Sequence, residues 1–479
     1  MRNKAPLACV ALLCAGSAVT ANAAATIVIA VADGPNVGFN DPTPVSPVGG
    51  NSGRTLGEQR LKVFQEAARI WGQALTSRVP IIVSAGWQAQ SCTANSAVLG
   101  SAGAVAVFRD FAGAPVRGTW YPVALANALA GVDLMPSLNP ANAPDITARF
   151  NVNLGKPGCL TGMPFYLGLD SNEGSSAVDL LAVLLHELGH GLGFQTFTNP
   201  QTGAPLNNLP SVWDHYLTDA SLNRTWAQMT NAQRVASATR TTQLVWGGTQ
   251  VNDAARSILT AGAPALTVSA PANVVGSYQV GTATFGPALF SPGIANRQIM
   301  PVVDQPNGTG LACTALSAAN VAAVSGKIAL VDKGTCANTV KAANVQAAGA
   351  VAMIVVDTLD TLPPATLTGT DASIRIPSVN IALSDGNKLK TALASRTRTS
   401  SNVVATVGID LTRRRGMDTA GRILMYAPNP VQPGSSVSHF DVTATPNLLM
   451  EPAINRDLGS SVTLPQDLTY TLLREIGWR

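Results

Sequence analysis

The hydrophobic pattern is most distinctive between Leu181 and Phe194, where the chain reads LAVLLHELGHGLGF. Apolar residues occupy nearly every side of a helix-length run, which predicts a buried helix rather than a surface one. Ser176 and Asp179 give an S-x-x-D start resembling a capping box, no proline interrupts Val178 to Leu192, and Gly191 and Gly193 supply the stop. Upstream, Thr26 to Val31 predicts a buried strand, followed by a turn-rich loop from Asp33 to Gly53. Thr55 and Glu58 open another helix, in which Leu61, Phe64, Ala68, Trp71 and Leu75 recur at three-to-four spacing as a core-facing stripe. Val79 to Ser84, Ala104 to Phe108 and Ala148 to Val152 read as short strands. Phe165 to Leu169 reads either as a sheet edge able to pair with an extended peptide or as an ordinary inner strand. This order implies an α/β (α+β) domain with a mixed sheet and the buried helix beside it.

A second alternation lies later. Gly326 to Cys336, Lys341 to Val356 and Ile376 to Leu383 read as apolar strand, amphipathic helix and apolar strand, a small α/β unit in its own right. With 479 residues the chain exceeds one ordinary core, and two or more domains are expected.

Composition narrows the setting. At 46% hydrophobic and 12% charged the chain is globular and low in charge. Arg2 and Lys4 precede the apolar run Ala8 to Val19, and Ala21-Asn22-Ala23 completes a secretory signal over residues 1–23. Its removal takes two positive charges and lowers the formal net charge from +4 to +2. No basic run points to nucleic acid, and no later stretch reaches membrane-spanning length, so a soluble, exported monomer is expected. Cys92, Cys159, Cys313 and Cys336 remain after cleavage, an even number suited to two disulfides in an oxidising compartment. Four cysteines allow three connectivities; pairing 92 with 159 and 313 with 336 keeps each bridge inside one of the domains assigned below. A four-cysteine zinc site is disfavoured because no C-x-x-C pair exists.

The buried helix carries the chemistry. His186 and His190, four residues apart, share one helical face and can ligate one metal ion, while Glu187 flanks the open side as a general base for an activated water. A buried helix has no cheap use for these three polar groups otherwise. Catalytic zinc takes three protein ligands and keeps a fourth position open. The compact H-E-x-x-H-x-x-G-x-x-H pattern is absent, since position 196 is Thr196, so the third ligand is distant: His439, His215, or a carboxylate such as Asp214.

HELGHGLGF, with Ser438-His439-Phe440 and Leu449-Met450-Glu451-Pro452 much later, resembles leishmanolysin-type metzincins. The resemblance implies zinc held by His186, His190 and His439, Glu187 as base, Gly193 as the turning glycine and Met450 as the Met-turn methionine. It also implies that Asp467 to Trp478 forms a closing helix under the site. Met450 reads physically as an apolar floor beneath the imidazoles rather than a ligand. The chain departs from that family in the sequence separation of 249 from His190 to His439 and in lacking an obvious pro-segment.

The segment at 326–383 resembles the protease-associated (PA) domain, in which a strand ending in R/K-G-x-C leads to an Ala-rich helix, a second strand and an I-P motif. Placed at 264–408, it accounts for the long spacing, and Cys313 with Cys336 fits a local staple. The resemblance implies a lid, a substrate-recruiting surface or a spacer. Asp332, Lys333, Asp357 and Asp385 within it read as solvated surface. Ala261-Gly262-Ala263-Pro264 reads as a turn at its flank, and a surface loop hosts such an insertion at modest entropic cost. The catalytic domain then comprises 24–263 and 409–479. The expected function is a secreted zinc endopeptidase acting on protein or peptide substrates. The alternatives are a non-catalytic extracellular binding protein with structural zinc and a zinc hydrolase of a non-peptide bond.

Overall fold

The computed structural model describes residues 24–135 and 143–479, so the signal expected at residues 1–23 lies outside the described residues. Strand β1 (Ile27–Val31) is rich in β-branched residues suited to a pleated surface. Helix α1 (Leu56–Ala74) follows, capped by Thr55, whose Oγ1 accepts the Glu58 N–H at 3.1 Å. Its Val63, Phe64, Ala67 and Trp71 are fully buried.

Strands β2 (Ile81–Gln88), β3 (Gly100–Ala104) and β4 (Ile146–Asn151) complete a four-stranded sheet in the order β1-β2-β4-β3. The pairs β1–β2 and β2–β4 are parallel, and β3 runs antiparallel along one edge. This edge differs from the expected strand at Ala104 to Phe108. GSAGA has no β-branched or aromatic residue, so hydrophobic pattern alone passes over it, and Val107–Phe108 makes only a short separate pairing with Tyr121–Pro122. Phe165 to Leu169 is neither an edge nor an inner strand of this sheet: Phe165–Tyr166 pairs in parallel with Val178–Asp179 in a two-stranded ribbon.

Helix α2 (Leu180–Leu192) is the expected buried helix with both ends moved. Asp179 caps it alone, Oδ1 accepting the Leu181 N–H at 2.8 Å, and Ser176 is an exposed residue outside the cap. Gly191 is interior, not a stop: a Cβ there would stand 2.5 Å from Ile146 Cγ2, so the glycine lets helix and sheet approach. The stop is Gly193, at φ +121°, where a Cβ would also press on Ile476 Cδ1 at 3.0 Å.

A seven-stranded sheet occupies the later part of the chain. Its strands are β5 (Ala261–Ala270), β6 (Gly276–Tyr278), β7 (Ile294–Pro301), β8 (Ile328–Asp332), β9 (Ala352–Val356), β10 (Ser378–Ile381) and β11 (Val404–Arg414), with helix α3 (Asn338–Ala347) between β8 and β9. The order is β6-β5-β11-β7-β8-β9-β10, with β7 to β10 parallel. Ala261 to Pro264 is not a turn but the start of β5, accommodated by a register shift between Ala261 and Ala263. Ala261 pairs with Arg414, so the chain enters and leaves this unit at one place. That adjacency is what lets a surface loop host an insertion at little entropic cost.

The cores divide accordingly. One cluster joins residues between Ala25 and Leu259 to residues between Met417 and Trp478, including Trp71, Leu188, Phe194, Trp213, Trp246, Phe440 and Met450. Two further clusters draw only on residues between Leu266 and Val407. Disulfides join Cys92 to Cys159 and Cys313 to Cys336. The charged residues expected as solvated surface in the insertion are in fact paired. Asp357 is buried and accepts from Lys333 Nζ at 2.8 Å and Asn380 Nδ2 at 2.7 Å, while Asp332 pairs with Lys390 and Asp385 with Lys388. A buried carboxylate needs such partners to stay in place. Among the described residues no helix is long and apolar enough to cross a membrane.

Candidate metal centre

Helix α2 projects His186 and His190 from one face, and a loop near the end of the chain brings His439 to them. That loop is anchored at two adjacent residues: Tyr426 N–H donates to His439 O at 2.9 Å, and Thr196 N–H, just after α2, donates to Ser438 Oγ at 3.2 Å. The three Nε2 atoms lie 3.2 Å from one another.

The outer ring nitrogens fix the protonation. His186 Nδ1 donates to Leu449 O at 2.7 Å, His190 Nδ1 to Phe194 O at 2.8 Å and His439 Nδ1 to Ser435 O at 2.7 Å. A carbonyl only accepts, so each Nδ1 carries the proton and each neutral ring turns a bare Nε2 lone pair inward. Burial holds the rings neutral, pulling His186 down to about 3, His190 to about 4 and His439 well below the ordinary value. The 3.2 Å contacts are therefore not hydrogen bonds. Three converging lone pairs repel unless a cation lies between them, and their spacing matches three nitrogens about 2.0–2.1 Å from one tetrahedral zinc. The backbone carbonyls behind the rings orient them and make them better donors. An all-imidazole set suits zinc better than calcium or magnesium.

Glu187, immediately after His186 on α2, lines the same cleft. Burial pushes its carboxyl up to about 7, partly offset by the Ala102 N–H of β3. Met450 is fully buried beneath α2, and a Cβ on Gly189 would stand 2.8 Å from its Sδ, which explains a glycine between the two helix histidines. The preceding Leu449 is tied below by Asp467, which accepts Leu449 N–H at 2.8 Å through Oδ2 and Thr469 N–H at 2.7 Å through Oδ1. Helix α4 (Thr469–Ile476) follows, shorter than the expected Asp467 to Trp478, and Trp478 Nε1 donates to Leu192 O at 2.8 Å.

The competing third ligands are elsewhere. His215 Nε2 meets Thr119 Oγ1 at 2.9 Å, and Asp214 accepts from Thr196 Oγ1, Thr198 Oγ1 and Ser211 N at 2.7, 2.8 and 2.8 Å. Asp214 therefore holds the chain leaving α2.

The three histidines and Glu187 open on a cleft of about 1010 Å³ bounded by 95–102, 173–183, 195–200, 433–439 and 452–458. None of the described residues that line it comes from 264–408. β3 forms one wall. Leu99 O accepts Asn151 N–H and Val105 N–H donates to Asp145 O, so the odd-numbered positions bond β4 and Gly100 and Ala102 turn their backbone groups outward. Sequence reasoning missed this wall and Gln195 beyond α2; their only signal was proximity to the helix motif.

Residues 299–389 match the family model of the PA domain. No curated protein matches the chain. Among solved structures it is similar to a zinc aminopeptidase from Bacillus subtilis, at 22% identity over 33% of this chain and 36% of that one, with a TM-score of 0.22. It is also similar to an aminopeptidase from Aneurinibacillus sp. strain AM-1, at 16% identity over 42% of each chain and a TM-score of 0.23. A subtilisin-like protease from Pseudoalteromonas sp. AS-11 matches at 15% identity over 33% of this chain and 34% of that one, with a TM-score of 0.21. The chain spans about a third of the Bacillus enzyme, and overlaps of this score define neither its overall fold nor its activity. The assignment these comparisons do make is local: this mixed α/β chain carries a PA domain.

Proposed function

We propose that the chain is an exported zinc endopeptidase of leishmanolysin-like metzincin type. Its catalytic domain would comprise 24–263 and 409–479, interrupted by the PA domain. His186, His190 and His439 would hold the metal, with Met450 as the floor under the rings and Gly193 as the turn that releases the chain from α2. The observation that carries the reading is the convergence of three bare Nε2 atoms 3.2 Å apart beside a carboxylate that opens on a cleft. A structural zinc site is closed by a fourth protein ligand and has no use for a base, and no fourth His, Cys, Asp or Glu joins this group among the described residues.

A bound zinc ion would supply Lewis acidity, polarising the scissile carbonyl and acidifying water at the site. Glu187 would take a proton from the attacking water and pass it to the leaving amine, which requires a carboxylate held near but not on the metal. The outward N–H and C=O of Gly100 and the outward C=O of Ala102, whose N–H is turned to Glu187, offer an extended peptide the partners of a neighbouring strand, which favours a peptide substrate over a small non-peptide one.

The test pairs metal content with cleavage of unfolded casein, for the wild type and Glu187→Gln. One zinc per chain in both, with chelator-sensitive cleavage in the wild type and at least ~100-fold less in the variant, is the expected result. Zinc in both with equal cleavage, or with none, would sink the proposal.

A further inference from the structure

Gln195 stands apart from its neighbours. Its backbone is pinned on both sides: the preceding Phe194 O accepts His190 Nδ1 at 2.8 Å, and the following Thr196 N–H donates to Ser438 Oγ at 3.2 Å. Thr196 is held further by its hydroxyl on Asp214 at 2.7 Å. The Gln195 side chain lines the cleft, is half-buried, and makes no side-chain hydrogen bond to another described residue. Its Oε1 lies 3.9 Å from where a Cβ on Gly103 would stand, so the amide end rests against β3, one residue beyond Ala102. Ala102 in turn faces Glu187.

From this placement we infer that the Gln195 side-chain amide binds the backbone of the substrate peptide, hydrogen-bonding the peptide group that lies beside β3 next to the scissile bond. The inference rests on the peptidase reading above. An amide carries one acceptor and two donors, the same complement a peptide group presents, so a single glutamine can accept its N–H or donate to its C=O. The backbone clamps mean that little conformational freedom is lost on binding beyond the side chain itself. Such a contact also couples recognition to the metal centre, since the same short segment that carries Gln195 supplies the carbonyl orienting His190. The plain alternative is a solvated glutamine that packs on Gly103 and touches no substrate.

Gln195→Met separates the two, because methionine keeps the length and the packing while losing both hydrogen-bonding groups. The assay uses the full mature chain and one well-cleaved peptide, together with versions in which one backbone amide at a time is N-methylated or replaced by an ester. For Gln195→Met, zinc content and melting temperature should match the wild type, while kcat/KM on the unmodified peptide falls about 10- to 100-fold. The wild type should penalise modification at one position near the scissile bond by about tenfold or more, and that penalty should vanish in the variant. Equal kcat/KM in the two proteins, or the same penalty pattern in both, overturns the inference and leaves the peptidase reading intact. Absence of chelator-sensitive cleavage by the wild type overturns both.

Discussion

Gly189 and Met450 meet across the floor of the histidine cluster, with only 2.8 Å between the Met450 Sδ and the place a Cβ on Gly189 would take. The methionine has little room to yield. It is fully buried, Phe440 N–H donates to its carbonyl at 2.8 Å, and its neighbour Leu449 is held between His186 and Asp467. Gly189→Ala gains about 1 kcal/mol of helix propensity but overpacks the floor by about 1–3 kcal/mol. The expected outcome is a net loss of stability together with weaker zinc binding, because the shift is passed to the His186 ring through Leu449. Met450→Ala alone should cost about 2–5 kcal/mol. In denaturant unfolding the double variant should lose less than the sum of the single losses, since the second change removes the clash created by the first. Strict additivity would show that the two residues do not press on each other.

The three imidazoles define a second expectation. His439→Ala should abolish both stoichiometric zinc and cleavage, whereas His215→Ala should keep both, because His215 bonds Thr119 and stands outside the cluster. Protons compete with metal only when they occupy the Nε2 positions, and burial keeps His186 near 3 and His190 near 4. An ordinary histidine titrates near 6.5. Zinc should therefore stay bound through dialysis at pH 5, and ligand protonation should begin to release it only as pH falls toward 4. Release centred near pH 6.5 would mean that the rings are as well solvated as free histidine.

How much of this was readable in the chain depends on where the information resides. His186, Glu187 and His190 were legible because helical geometry alone brings them together, whatever the rest of the fold does. His439 was legible only by context. Its signal over His215 was the Ser438-His439-Phe440 sequence with Met450 eleven positions on, and the convergence itself depends on a turn anchored through Tyr426 and Thr196. The alternation of strand, helix and strand at 326–383 announced the inserted unit, but its sheet runs on to Ala261 and Arg414 because β5 absorbs Gly262 in a register shift and carries Pro264 in regular pairing. β3 was illegible for a physical reason: an edge strand of glycine, serine and alanine is specified by what it packs against rather than by its own residues. Asp179 and Gly191 show the same limit at helix ends. Either of two nearby residues could have capped or stopped α2, and the close approach of Ile146 decided the second case.

Glu451, next to Met450, provides the last expectation, one in pH. It is buried; its Oε1 accepts Leu448 N–H at 2.9 Å and its Oε2 accepts Asn455 Nδ2 at 3.2 Å. Burial pushes its carboxyl up to about 8, with the nearby Asp441 and Asp457 carboxylates adding to the rise and the Leu448 N–H opposing it. The folded value thus lies above the unfolded one of about 4.5, so between those values the folded chain holds a proton that the unfolded chain has released. Stability from this group is full at low pH and falls as pH rises through that window. Glu451→Gln keeps an acceptor for Leu448 N–H and cannot ionise. Its melting temperature relative to wild type should therefore climb steadily from about pH 4.5 to pH 8 and then level off. The gain at pH 9 should be about 1–3 kcal/mol, below the full ~1.4 kcal/mol per pKa unit because the folded segment can relax around an ionised carboxylate. A difference that stays flat across the window would mean that Glu451 ionises freely in the folded protein, and that the segment after Met450 admits water.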